Sequence, residues 1–477
     1  MKTTFKFGEI LTMFHRYLQI SLLCLLSYFS SALLAGPVQE FTLENGLHLI
    51  VKEDHRAPIA VSQVWYKVGG AYEQEGKTGL SHMLEHMMFK GTKKYGPGEF
   101  SRIMAANGAS ENAFTDSDAT AYFQSLEKSR LALSFELEAD RMRNLVLSEA
   151  EFAKEKQVVL EERRMRTEDQ PDNMAFEHFL ATAYQTSPYQ NPIIGWMSDI
   201  KNLTLTDLQH WYQRWYAPNN AIVVVAGDVN PTAVFELAKT HFGPLPRSEI
   251  TPVPTRPEVE QYGMKRLIVK RPAKLPELTM GYKVPTLATV PKGQEWQVYA
   301  LEVLAYILDG GDSARLTKNL VRAKSMATNI WSSYDFWSAL SNLFIFNGKP
   351  SEKHTLSELE EAIREQITQL QTTLVDEKEL TKIKNQLRAS KVYEADSVFY
   401  QAMQIGRAEA IGLNWQIAEA YLDNIIKVTP AQLQQVATQY LTDDNLTVAV
   451  LEPQSLTEKT KNTTIMESPN SAKGAIH

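Results

Sequence analysis

The chain has 477 residues, of which 44% are apolar and 22% charged, with a formal net charge of −7. This is the composition of folded protein, and the length exceeds what one hydrophobic core usually serves, so two domains or more are expected. The negative balance argues against nucleic acid or an anionic membrane as the main partner.

Lys2, Lys6 and Arg16 precede an uncharged stretch from Tyr17 to Ala35, which closes on Leu33, Leu34 and Ala35 before Gly36 and Pro37. That order of charged, apolar and small residues reads as a secretory signal over residues 1–35. Glu9 is out of place in such a leader, and a start at Met13 would remove it. A leader that stays attached as a membrane anchor is the alternative, because the stretch is just long enough to span. The one cysteine, Cys24, lies within it. Without the leader there is no disulfide, thiolate ligand or cysteine nucleophile, and a catalytic metal would need His, Asp or Glu.

Asn45–Gly46 marks a turn before a strand at 47–52, and 61–68 reads as a second strand. Residues 78–90 read as a helix and 120–126 as a strand. Helical patterns follow at 129–144 and 148–167; Ser148, with Glu151 three residues on, makes a capping box for the second. Residues 222–225 form a short β-branched strand, and Asn230–Pro231 opens another helix. Pro244, Pro246, Pro252, Pro254 and Pro257 then mark a change of character. Residues 246–263 read as a linker between a domain at 36–245 and a second at 264–453. The second carries strands near 266–269 and 278–283, helices from 355 to 440 and a last strand at 446–451. Residues 454–477 read as a disordered tail.

The two halves end alike. Leu208–Gln209, Trp215, Asn220, Val223 and Val225 match Leu433–Gln434, Tyr440, Asn445, Val448 and Val450, each 225 residues on (448 − 223). Five matches in register point to two related α+β domains in tandem, each a mixed, mainly antiparallel sheet with helices packed on it.

The chemistry concentrates at His82–Met83–Leu84–Glu85–His86. On a helix, residues four apart share a face, so His82 and His86 can aim imidazoles at one ion. Glu85 lies near the same face and can serve as general base without being a ligand. This is the inverted order of the common zinc-peptidase helix motif. Catalytic zinc usually takes three protein ligands and keeps one position open. Glu155, Glu161 and Glu162 are candidates for the third, and periodicity does not choose among them. Taken alone, Glu161–Glu162–Arg163–Arg164 reads as a solvated charged face. The other histidines (His48, His55, His178, His210, His241 and His354) have no ligand spacing and read as structural or surface residues.

Residues 79–92, Asn112–Ala113–Phe114–Thr115 and residues 155–162 together resemble the inverzincin zinc peptidases. That family includes pitrilysin, insulin-degrading enzyme and the mitochondrial processing peptidase β subunit; this chain resembles a short bacterial member. The resemblance runs from about Phe41 to Pro453 and is looser in the second half. It implies Glu162 as third ligand, with 75 residues between it and His86 (162 − 86 − 1), and Glu161 as the fallback. It implies Glu155 as the acid that orients the site, Glu85 as base, and one Zn²⁺ per chain. Asn112 and Ala113 fall in the family's substrate-binding edge strand, where a peptide adds by β-augmentation.

The pattern breaks in the second half. The approach at residues 310–316 matches the family, and Arg322 stands where a substrate-contacting Arg belongs, but seven residues on is Asn329, not Tyr. Either Asn329 or the nearby Tyr334 does the work, or a partner subunit supplies an Arg/Tyr pair, and the resemblance favours the partner. Asp312 or Ser313 is expected to cap the next helix. The expected function is therefore a zinc endopeptidase acting on peptides or unfolded segments, exported to the bacterial periplasm and paired as a homo- or heterodimer. A non-catalytic, peptide-binding subunit of a heterodimeric peptidase is the rival.

Overall fold

The computed structural model describes residues 38–251, 253 and 256–455. The expected leader and almost all of the expected tail lie outside them. Among the described residues no helix is long and apolar enough to cross a membrane.

Eleven strands form two sheets among the described residues. The first holds β1 (Val38–Thr42), β2 (His48–Glu53), β3 (Ile59–Tyr66), β4 (Ser110–Thr115), β5 (Thr120–Glu127) and β6 (Ala221–Gly227), in the order β1-β2-β6-β3-β5-β4. The second holds β7 (Lys265–Pro272), β8 (Glu277–Val284), β9 (Ala327–Tyr334), β10 (Asn342–Pro350) and β11 (Leu446–Gln454), in the order β7-β11-β8-β10-β9. Apart from β1, one order maps onto the other. β2–β6 and β7–β11 are the parallel pairs, and the remaining pairs are antiparallel. The fold is two tandem α+β units, as the repeated sequence pattern implies.

The repeat extends to single bonds. Asn220 Nδ2 donates to Trp215 O at 3.0 Å, and Asn445 Nδ2 donates to Tyr440 O at 3.1 Å. Each bond closes the turn between a helix and the strand that enters the middle of its sheet, which is why the two asparagines stand 225 residues apart.

β6 is buried along its whole length, Ala-Ile-Val-Val-Val-Ala-Gly. A strand covered on both faces reads as a continuous apolar run rather than an alternation. One face meets helices of its own half. The other meets helix Val398–Ala410, whose Val398, Ala402, Ile405 and Ala410 pack on Ile50, Val61, Trp65, Ile222 and Val224. The first half reciprocates: Phe179 and Ala183 of helix Pro171–Ala183 pack with Leu343 and Ala449 of the second sheet. The two halves thus exchange a helix.

Several expectations shift. The helix expected at 78–90 is Leu80–Met87, because Gly79 takes a left-handed backbone (φ 89°) and Thr78 is held outside by Asp199. The pattern at 148–167 divides into helix Glu149–Arg163 and a π-helical turn, Arg164–Glu168. Ser148 Oγ does accept from Glu151 N, but the Glu151 carboxylate pairs with Lys154, so the box is half made. Neither Asp312 nor Ser313 caps a helix: Asp312 pairs with Arg322, and Ser313 accepts from Lys382. β11 runs on to Gln454; Pro453 lacks an N–H but lies past the last residue paired with β8. β1, β9 and β10 were not expected as strands.

Candidate active site

Helix Leu80–Met87 buries Leu80, Met83, Leu84 and Met87 in the first half's core. This leaves His82, Glu85 and His86 along its other side, where helix Glu149–Arg163 meets it. That helix buries Phe152, Glu155, Val159 and Arg163, and the same face carries Glu155 and Glu162 to the histidines.

The three ligand-type atoms lie within 4.8 Å of one another. Glu162 Oε1 is 3.8 Å from His82 Nε2, and Glu162 Oε2 is 3.3 Å from His86 Nε2. On its far side His86 Nδ1 faces Glu155 Oε2 at 3.3 Å, and Lys90 Nζ holds the other Glu155 oxygen at 2.6 Å. A carboxylate behind the imidazole fixes the proton on Nδ1 and frees Nε2 for a ligand. Glu85 stands beside the triad and accepts from Thr115 Oγ1, at the end of β4, at 2.5 Å.

These contacts set the ionisation. Burial, then the neighbouring His86, takes the His82 ring down to about 4, so it is neutral. Burial also acts downward on His86, but Glu162 and Glu155 outweigh it and raise it. For Glu162 burial acts upward, and His86, His82 and Arg166 outweigh it, leaving the carboxyl low. Burial lifts Glu85 above the ordinary glutamate range, against the pull of Thr115 and His86.

The donor set suits a zinc ion. His82 Nδ1 is buried with no hydrogen-bond partner, and 3.8 Å is too long for Nε2 to bond Glu162. Two imidazoles and a carboxylate converge, with Glu162 Oε1 also paired to Arg166 at 2.6 Å, an arrangement that a shared cation stabilises. Two imidazoles and one carboxylate are also a known catalytic zinc set that leaves a fourth position open.

Of the two adjacent acids, Glu162 faces the histidines. Glu161 points to solvent and pairs with Arg164, one residue along the same helix from Glu162. Asn112 and Ala113 lie on β4, which with β1 forms the edges of the first sheet among the described residues. Asn112 Oδ1 accepts from Ala113 N at 2.9 Å, so in this state its side chain is folded onto its own strand.

Arg322 and Asn329 are not at the centre. Arg322 pairs with Asp312 at 3.2 Å on the surface, and Asn329 is exposed on β9, an edge strand of the second sheet. Among the described residues neither bonds His82, Glu85, His86 or Glu162. Tyr334 is withdrawn as a substitute for the missing Tyr. It is 7% exposed, stacks on Phe344, and donates its hydroxyl to Pro285 O.

Three residues at the site escaped the sequence reading. Thr115 lay in a recognised stretch but had no role. Arg163, read as part of a solvated run, is 2% exposed and bonds Glu177 through both guanidinium ends at 2.9 and 2.8 Å. Its spacing from Val159 and Phe152, four and eleven residues, was the available signal. Glu73, buried at the start of the histidine helix, had no local signature.

Comparison with known proteins gives the family. Residues 48–196 match the model for insulinase (peptidase family M16), and residues 202–387 match the peptidase M16 inactive domain. The chain is 35% identical over 432 residues to zinc protease PqqE of Helicobacter pylori, covering 87% of this chain and 93% of that one. It is 24% identical over 416 residues to the uncharacterized zinc protease YmxG of Bacillus subtilis, covering 87% and 98%. A solved protease from Helicobacter pylori superposes with a TM-score of 0.83 at 33% identity, over 87% of this chain and all of that one. The periplasmic protease PqqL of Escherichia coli shares the fold at a TM-score of 0.74 and 16% identity, over 92% of this chain and 52% of that one. The chain belongs to the M16, or insulinase, family of peptidases.

Proposed function

We propose that the chain is a zinc endopeptidase in which His82, His86 and Glu162 hold one Zn²⁺ and Glu85 is the general base. The observation that carries this is the convergence of two imidazole nitrogens and a carboxylate within 4.8 Å, with the Glu85 carboxyl beside them. When bound, Zn²⁺ supplies Lewis acidity that brings the pKa of a coordinated water toward ~7 and polarises the peptide carbonyl. Glu85 takes the proton from the attacking water and returns it to the leaving amine. Its raised proton affinity suits both transfers, and Thr115 holds its Oε2 in place. Glu155 keeps His86 in the ligating tautomer. The edge strand β4 aligns an extended peptide through main-chain bonds, which favours short or unfolded polypeptide over folded protein.

The test pairs two variants. Glu85→Gln is expected to bind zinc as the parent does yet lose nearly all turnover of a quenched peptide library. Glu162→Gln is expected to lose the metal by elemental analysis. Full turnover by Glu85→Gln would place the base elsewhere.

A related subunit is proposed to supply the Arg/Tyr pair, because Asn329 occupies the Tyr position and neither it nor Arg322 contacts the triad. Assaying the chain alone and with its genomic neighbour's product checks this; full activity alone excludes an obligate partner. A non-catalytic, peptide-binding subunit is the second reading, and Asn329 is the observation in its favour. For location, the signal-like leader and a periplasmic fold relative support export to the periplasm.

A further inference from the structure

The histidine helix begins without a cap of its own. Gly79 sits at its N-cap with φ 89° and has no side chain to accept from the first turn. The first amides of any helix need partners, and a capping side chain normally comes from the N-cap residue itself. Here a residue six positions upstream provides them. Glu73 Oε2 accepts from Gly79 N, and Glu73 Oε1 accepts from Ser81 N, each at 2.7 Å. Glu73 is 6% exposed, and no Lys or Arg among the described residues pairs with it. Burial raises its carboxyl to about 8, and the Ser81 and Gly79 amides at the positive end of this helix pull against that rise.

The reason the cap is remote is steric. A Cβ on Gly79 would lie 2.6 Å from Ile194 O, and a Cβ on Gly195 would lie 2.5 Å from Thr78 O. The backbones touch here, leaving no room for a capping side chain at position 79. The contact itself leads to the other ligand helix. Gly195 O accepts from Arg163 Nη1 at 2.8 Å, and Arg163 is the residue after Glu162. Ser81, held by Glu73, is the residue before His82.

We infer that Glu73 and Arg163 are positioning residues that tie the two ligand-bearing helices together through the Gly79–Gly195 contact, and so set the spacing of His82 and Glu162. The inference rests on the reading of those two residues and His86 as metal ligands. Gln at 73 would keep one acceptor and turn an amide N–H₂ toward a backbone N–H. Lys at 163 would lose the fork that reaches Glu177 and Gly195 O together.

The experiment measures Zn²⁺ affinity of Glu73→Gln and Arg163→Lys by competition with a chelating dye. The visible absorption of the Co²⁺-loaded proteins and the melting of the metal-free proteins are recorded alongside. Both variants are expected to bind zinc about 10–100-fold more weakly, as when a residue supporting a ligand is lost, with an altered Co²⁺ spectrum and native circular dichroism. Zinc affinity within about twofold of the parent and an unchanged Co²⁺ spectrum, even with a lowered Tm, would reduce both residues to stabilisers and overturn the inference. If Glu73→Gln does not fold, Arg163→Lys carries the same test alone. If the parent protein binds no zinc, the ligand reading fails, and this inference with it.

Discussion

Trp65 of β3 packs on Gly406 so closely that a Cβ at 406 would stand 2.1 Å from Trp65 Nε1. The contact joins the first half's sheet to the helix lent by the second. In the reciprocal contact the bulk is reversed: a Cβ on Gly281 of β8 would meet Phe179 Cζ at 2.5 Å. The positions correspond. Trp65 pairs with Ile222 and Gly281 with Thr447, again 225 apart (447 − 222), while Phe179 and Gly406 are each the ninth residue of their helices. A helix folded onto its own sheet would set Phe179 against Trp65 in one half and Gly406 against Gly281 in the other. One is a clash and the other a void, so the exchange is specified against the wrong pairing.

Gly406→Ala tests the first contact. In an exposed helix, Ala instead of Gly would stabilise by about 0.5–1 kcal/mol. Here it is expected to destabilise by about 1–3 kcal/mol, because a packed indole must move. Trp65→Ala alone is expected to cost about 3–5 kcal/mol. In the Trp65→Ala background the Gly406→Ala penalty should vanish, a coupling readable in a urea double-mutant cycle.

Gly281→Ala tests the reciprocal contact. The added methyl meets the ring of Phe179, which is fully buried, so destabilisation by about 1–3 kcal/mol is expected. Equal urea midpoints for variant and parent would show that the ring yields freely.

Asp118 joins the halves and should make stability depend on pH. Its Oδ2 accepts from Tyr189 OH at 2.6 Å and from Ala339 N at 3.0 Å, across the boundary. Burial, then the adjacent Asp116, pushes its carboxyl from 3.8 to about 6. A carboxyl with a raised folded value holds its proton more tightly in the fold than in the open chain. Its contribution is complete below 3.8 and is lost as pH rises through about 6, up to ~3 kcal/mol. Asp118→Asn should therefore flatten the fall in unfolding free energy between pH 4 and 7, measured by urea denaturation at each pH.

Glu155→Gln removes the carboxylate behind His86 and the partner of Lys90. Zinc affinity is expected to fall about 10–100-fold without loss of the fold. Glu161→Gln, altering only an exposed pair with Arg164, should leave metal content unchanged. Metal loss from Glu161→Gln and retention by Glu162→Gln would reverse the assignment of the third ligand.

The sequence alone determined what depends on near neighbours and on recurrence. His82, Glu85 and His86 share a side because a helix repeats every ~3.6 residues, wherever that helix ends up. The tandem architecture was legible because the same turn bond, to the backbone carbonyls of Trp215 and Tyr440, requires an asparagine at both 220 and 445. Family likeness pointed to Glu162, but spacing did not separate it from Glu155 or Glu161.

Tertiary structure decided the rest. Which acid meets the histidines depends on how helix Glu149–Arg163 is rotated against its neighbour, and that is set by Phe152, Val159 and the buried Arg163. The same rotation turns Glu161 outward. Tyr334 reads as a plausible donor in the chain and is a core residue in the fold. The helix exchange leaves no local signature, since Trp65 and Gly406 are 341 residues apart (406 − 65). Periodicity belongs to one segment, whereas burial, convergence of ligands and the choice between like surfaces belong to pairs of segments, and arise only when those surfaces meet.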